Sequence, residues 1–427
     1  MLLQLTLPAF VQKFSSFLLG CTIVLSACSP ELDSESSILA TRSETLTNEP
    51  TNSSVDSNSE TTDIAWGLVY GYLELIDADN QAILANLQSF QETLNEFITQ
   101  SNETKLQALR SSWLVAHTSY EQANLHRHFS AAVVSEEFNL ELLQLQYQIN
   151  HWPILPGYID YVDDYPDSGI VNDMTVSLDS DNIRQQHGVF DLSESTLGFH
   201  VLEFLLWGES TIDGVARPAT EFAEISQLNE AQLEASFKLE QLGNNRRREF
   251  ITVITSALLE DFGRSKTIWD QTNLALRERI DTFTAERLLR IFVDAISTLL
   301  SEEILIRSLY PLLNEEFSDS IQSPYSKSTP SAVTAQLSGI ERLLLEIRSD
   351  SGKSLDELFI SFSPDYEELF YASFDASKEC LVLLYSSLQN FQTSLSPLQT
   401  EFDVVECINL VTNMIDHLGQ IDVSLSN

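Results

Sequence analysis

The chemistry-bearing residues of this chain concentrate in one short stretch, LGFHVLEFLLWG, from Leu197 to Gly208. Phe199, Val201, Leu202, Phe204, Leu205, Leu206 and Trp207 would cover nearly the whole surface of a helix, and a helix apolar on all sides is a buried one. Within it only His200 and Glu203 are polar. At i and i+3 they share one helix face. A carboxylate buried alone is costly, so something has to compensate: a metal ion, an arginine, or the histidine itself. An imidazole and a carboxylate together make a ligand pair suited to iron or zinc. The plainer alternative is a pair that satisfies itself and a few backbone groups. Two ligands do not complete a zinc or iron site, so further donors have to come from elsewhere in the fold. His117, His126, His128, His151 and His187 converge on the pair only if the fold brings them there. Ferritin-like di-iron bundles repeat the reverse order, Glu-x-x-His, on several helices, which disfavours that class here.

The elements that must position this stretch read as helices. Ile83, Leu84, Leu87, Phe90, Leu94 and Phe97 recur at three- and four-residue spacing. So do Leu106, Leu109, Trp113, Ala116 and Tyr120, then Phe250 to Phe262, then Leu288 to Leu300. Strand-like alternation is scarce, and 14 glycines with 12 prolines are few for an all-β chain of this length. The predicted class is all-α, packed as helical bundles. Two irregular regions interrupt the helices, His151–Asp191 and Asn314–Ser331, and long loops in a compact protein often carry function. GFHVLEFLL (198–206) and GIERLLLEI (339–347) form a weak internal echo. Cys380 and Cys407 lie 27 positions apart in the last helical region, a spacing open to a disulfide or to two buried thiols.

The N-terminus reads as a processing segment. Residues 1–28 hold one base, Lys13, and no acid, with a mostly apolar run from Phe14 to Leu25. That run is short for a membrane span but suits a signal peptide. It ends Leu25-Ser26-Ala27-Cys28, which resembles the lipobox of bacterial lipoproteins. The expectation is a signal peptide over 1–27 and a lipidated Cys28 held by the bacterial membrane. Ser29 in place of Asp points to the outer membrane, facing the periplasm. Residues 28–62 are Ser/Thr- and acid-rich, and read as a disordered tether. The folded part is expected over 63–427, in approximate halves 63–235 and 236–427.

The chain has 23 basic and 63 acidic residues and a net charge of -40. This balance excludes nucleic acid as a partner and electrostatic docking on anionic lipid, since both need clustered Lys and Arg. It suits cation binding, although most carboxylates on such a surface only solvate it. CxxC, HExxH, GxSxG and Walker A motifs are absent.

At Gly198-Phe199-His200-Val201-Leu202-Glu203 the sequence resembles the imelysin family of exported bacterial proteins, defined by GxHxxE. HWPILPGYIDYV (151–162), NNRRREFI (244–251) and EEFSDS (315–320) resemble three further family segments, in order and at fitting spacing. Where the family tends to place an arginine and later a glutamate after Trp113, this chain has His117 and Asn124. After Leu-Leu-Trp-Gly an acid is kept as Glu209, but the usual following Asp is Ser210. The resemblance implies two related helical bundles with a site near their interface. It implies metal binding by His200 and Glu203, with Asp319 and Ser318 as further ligands and Gly198 and Arg247 in support. Arg246, Arg247 or Arg248 would neutralise the site. The metal is expected to be iron rather than zinc, and the partners to be envelope proteins of iron uptake. It implies two further readings: an insulin-cleaving type of metallopeptidase with Glu203 as catalytic residue, and a non-enzymatic interaction protein with a degenerate site.

Overall fold

Apolar residues recurring every three or four positions wind the first folded segment into one helix of 46 residues, α1 (Ser54–Thr99). The computed structural model describes residues 54–133, 136–209, 216–314, 321–390 and 397–425. The expected signal peptide, Cys28, the tether as far as residue 53, Ser318 and Asp319 lie outside the described residues. Residues 54–62, expected in the tether, form the first turns of α1 instead. Extending a helix that is already packed downstream needs no new nucleus, so a polar run can be carried along.

The other helices follow in chain order: α2 (Glu103–Gln122), α3 (Asn124–Val133), α4 (Glu136–Asn150), α5 (Pro156–Ile159), α6 (Ser180–Gln186) and α7 (Phe199–Trp207). Then come α8 (Glu230–Glu234), α9 (Gly243–Arg277), α10 (Ala285–Thr298), α11 (Tyr310–Leu313) and α12 (Thr329–Leu345). The chain ends in α13 (Leu355–Phe362), α14 (Tyr366–Asn390) and α15 (Pro397–Leu425). Between α10 and α11, Leu299–Leu309 is wound as a π-helix. The fold is all-α, and the one bridge among the described residues is the isolated pair Val162–Tyr165.

Two hydrophobic cores run side by side within the compact unit 52–427. One gathers Ile64–Ile76 of α1 with α3, α10, the π-helix and α12–α15. The other gathers Ile83–Phe97 of α1 with α2, α7 and Phe250–Ile268 of α9. The division between the two cores crosses α1 between Ile76 and Ile83 and α9 at Ile268–Trp269, so both long helices belong to both cores. Polar groups mark the seam. Arg342 of α12 grips Asp79 of α1 through both carboxylate oxygens, at 2.8 and 3.0 Å. Asn273 of α9 donates to Asp77 at 2.7 Å.

A disulfide joins Cys380 of α14 to Cys407 of α15, with Cα atoms 5.6 Å apart. No helix among the described residues is long and apolar enough to cross a membrane.

Candidate functional site

All nine residues of α7 are buried, as an all-round apolar helix requires. Its start depends on Gly198, which has φ +94° and ψ -177°, a backbone conformation that L side chains rarely adopt. A Cβ there would also stand 2.6 Å from the carbonyl oxygens of Gln148 and Ile149 at the end of α4. The glycine of GxHxxE is thus what lets α7 begin against α4. From α2, the Trp113 indole donates to the Phe199 carbonyl at 3.0 Å.

His200 and Glu203 lie 2% and 0% exposed, and His200 Nδ1 stands 3.1 Å from Glu203 Oε2. The other oxygen, Glu203 Oε1, accepts from the backbone N–H and from the hydroxyl of Ser326, both at 2.7 Å. His200 Nε2 is buried with no hydrogen-bond partner. Burial pushes the Glu203 carboxyl up to about 7, against the opposing pull of the Ser326 donors. Burial and the neighbouring His117 hold His200 well below the ordinary imidazole range, so the ring is neutral.

Around this pair lies a second one. His117 of α2 stacks on Trp113 with ring centroids 4.7 Å apart and meets the His200 ring edge-on at 5.2 Å. Its Nε2 is 3.5 Å from Glu121 Oε1, one helical turn further on. Glu121 Oε1 accepts from the side-chain amides of Asn150 at 2.6 Å and Gln322 at 2.8 Å, and Oε2 from that of Gln336 at 2.6 Å. Burial opposes its charge, but His117 and the amide donors win and hold this carboxyl well below the usual range. Arg307 of the π-helix lies over the Trp152 ring at 4.5 Å and adds positive charge near His200. π-Helical turns recur at functional sites, and this one carries Arg307 there.

The predicted site residues separate. Arg247 forks onto Asp160 at 2.6 and 3.1 Å and donates to the Glu221 carbonyl. Arg246 is committed to the carbonyls of Ile170, Val171, Asp173 and Val176, and Arg248 to Ser101 and the Phe222 carbonyl. None of these bonds reaches Glu203. Asn124, the position expected to replace a family glutamate, is buried, while the acid beside His117 is Glu121. Glu121, Ser326, Gln322 and Gln336 were not singled out by sequence reasoning. Glu121 had a signal: Trp113, His117 and Glu121 follow at i, i+4 and i+8 on one helix face. Ser326 had only the long loop around it. His126 lies elsewhere, between the Tyr72 hydroxyl and Asp79, each at 2.8 Å.

Among the described residues no group of three or more His, Cys, Asp and Glu side chains is arranged to hold a metal ion. What does fit a metal is the His200 ring itself. Metal-binding histidines commonly donate one ring N–H to a carboxylate and ligate through the other nitrogen. With Nδ1 on Glu203, the unpartnered Nε2 is the atom that would ligate, and Glu203 is the carboxylate behind it.

A family model described as Imelysin (Peptidase M75) matches residues 77–397. Two solved structures resemble this chain. A Parabacteroides distasonis protein described as an iron-regulated protein A precursor superposes with a TM-score of 0.57 at 13% identity, over 85% of this chain and 95% of its own. An imelysin-like protein from Psychrobacter arcticum gives a TM-score of 0.51 at 12% identity, over 83% and 93%. No curated protein matches.

Proposed function

This chain belongs to the imelysin family, and from that premise we propose that it is an envelope-anchored lipoprotein serving iron uptake, which binds a metal ion through the GxHxxE site. The observation that carries the metal reading is His200 Nε2, a buried neutral imidazole nitrogen with no partner, on a ring oriented from behind by Glu203. His200 would be the ligand and Glu203 the carboxylate that sets its tautomer. Asp319 and Ser318 remain the proposed further donors. The bound metal would supply a Lewis-acidic centre or would itself be the cargo. The iron-regulated description of the structural relative supports iron over zinc. Anchoring through Cys28, with envelope proteins of iron uptake as partners, completes the proposal.

The proton on Glu203 would control the site. Oε1 already accepts two hydrogen bonds, so a proton goes to Oε2, which faces His200 Nδ1. Nδ1 then accepts, the ring hydrogen moves to Nε2, and the ligand atom is blocked. Metal affinity should therefore rise with pH through about 7, where Glu203 titrates.

The same poised carboxyl is what a peptidase base would need. Against hydrolysis stands access, since His200 and Glu203 are 2% and 0% exposed and a peptide must reach them. Iron titration and metal analysis of the protein and of His200→Ala at pH 6 and 8 test the proposal. Stoichiometric binding at pH 8, weaker at pH 6 and lost in the variant, is expected. No binding by the wild type would overturn it. Peptidase activity lost in Glu203→Gln would move the assignment to the catalytic reading.

A further inference from the structure

At the other end of α7, away from His200, sits an arginine whose best recognition edge is unused. Arg217 is 3% exposed. Its Nη1 donates to Glu221 Oε2 at 2.7 Å and stands 3.0 Å from Asp160 Oδ2. Its Nε and Nη2 are buried and have no hydrogen-bond partner. These two atoms form one edge of the planar guanidinium, the fork that matches the two oxygens of a carboxylate or phosphate. Buried donors are nearly always paired, so a bare edge of two is an exception that calls for an occupant.

The surroundings hold that edge in place. The guanidinium lies 4.8 Å from the Tyr161 ring centroid and 5.9 Å from that of Phe204, which fixes its plane. Next to the edge is Gly208, the C-cap of α7, at φ +73°. A Cβ on Gly208 would meet Arg217 Cβ at 3.3 Å, Nε at 3.5 Å and Nη2 at 3.7 Å, so the glycine lies along the Arg217 side chain and adds no bulk there. The carbonyls at a helix C-terminus would ordinarily repel an anion. Here they are occupied. Arg110 donates to the Leu206 carbonyl through Nε at 3.2 Å and Nη2 at 2.7 Å, and Arg217 N–H donates to the Trp207 carbonyl at 2.6 Å. Arg110 also donates to the Arg217 carbonyl at 2.6 Å, and its guanidinium, with Glu103 as the nearby acid, adds positive charge at this end of α7.

We infer that the C-terminal end of α7 carries an oxyanion site, in which the free Nε–Nη2 edge of Arg217 takes the carboxylate of a small organic acid. The site shares no residue with the proposed metal site, and either stands if the other falls.

The test is the thermal midpoint of the full chain titrated with citrate, phosphate and chloride at matched ionic strength, in the wild type, Arg217→Lys and His200→Ala. Citrate should give a saturable rise, as a ligand selective for the folded state does. Arg217→Lys keeps the charge but loses the fork, and its apparent affinity should fall at least about tenfold. His200→Ala should retain the effect, which places it outside the metal site. A saturable rise with phosphate and none with citrate would overturn the carboxylate assignment in favour of inorganic phosphate. A rise that survives Arg217→Lys would overturn the site. If Arg217→Lys does not fold, the wild-type series decides alone: no anion exceeding chloride refutes the inference.

Discussion

Replacing Glu203 with glutamine should stabilise the protein at alkaline pH and do much less in acid. The carboxyl is fully buried and titrates at about 7, against 4.5 for the exposed group. Each pKa unit corresponds to about 1.4 kcal/mol, so keeping Glu203 ionised in the folded protein costs roughly 3 kcal/mol. The sign follows from proton counting. Between pH 4.5 and about 7 the native state holds a proton that the unfolded chain has lost. Stability from this group is complete below 4.5 and falls as pH rises, until it is gone above the folded pKa. Glutamine matches the protonated form in shape. Its oxygen can accept from Ser326 and its amide can donate to His200 Nδ1, with no charge to bury. The stability gap between variant and wild type should therefore shift in favour of the variant by about 2–3 kcal/mol between pH 5 and pH 8. Urea unfolding at the two pH values measures it, and every other titrating group cancels in the difference. A gap that stays constant with pH would refute the reasoning, because Glu203 would then be ionised in both states. The stabilised variant should also bind metal poorly, since its His200 Nε2 carries the ring hydrogen.

The remaining predictions use the same geometry. Glu121→Gln should destabilise by about 3 kcal/mol or more, because an amide replaces a charged acceptor that serves three buried amide donors; chemical denaturation at neutral pH reads it, and a neutral result would mean the donors find other partners. Gly198→Ala should cost several kcal/mol, from a Cβ 2.6 Å from two carbonyl oxygens and a φ of +94°, and should appear as a large drop in thermal midpoint with loss of metal binding. Reducing the Cys380–Cys407 bridge should cost about 3.5 kcal/mol, the closure entropy of a loop whose ends lie 27 residues apart, measured as a lower midpoint in reductant that Cys380→Ser with Cys407→Ser reproduces without reductant.

The helices and the burial of α7 were legible because their signal is local. Apolar spacing over ten or so residues is enough to show that Phe199–Trp207 has no solvent face, and that His200 and Glu203 are inside. What surrounds that pair was not legible, because its partners come from far along the chain. Ser326 reaches Glu203 across 123 positions, and Gln336 reaches Glu121 across 215. No spacing rule links residues so distant, and a glutamate that is one acid among 63 looks like surface. Arg247, expected in support of the site, has its partner equally far off, in Asp160 87 positions earlier. The register of the π-helix was equally hidden, since Leu299–Leu309 has the same apolar content as an α-helix.

Donor supply explains why these two buried glutamates, each beside one of the touching rings His117 and His200, shift in opposite directions. Burial raises both. Glu121 meets three side-chain amides and a histidine, drawn from α2, α4, α12 and the segment before α12, and the charged form wins. Glu203 meets one serine, through its N–H and hydroxyl, and a neutral imidazole, and burial wins. One carboxylate is thus locked as a fixed charge where α2, α4 and α12 meet. The other is left one proton from switching, beside His200, whose Nε2 is buried without a partner. A core built for stability alone would have no reason to leave the second glutamate short of donors, since the same loop supplies Gln322 to the first. That asymmetry, more than the motif itself, is the physical argument behind the proposal that His200 and Glu203 form a metal site.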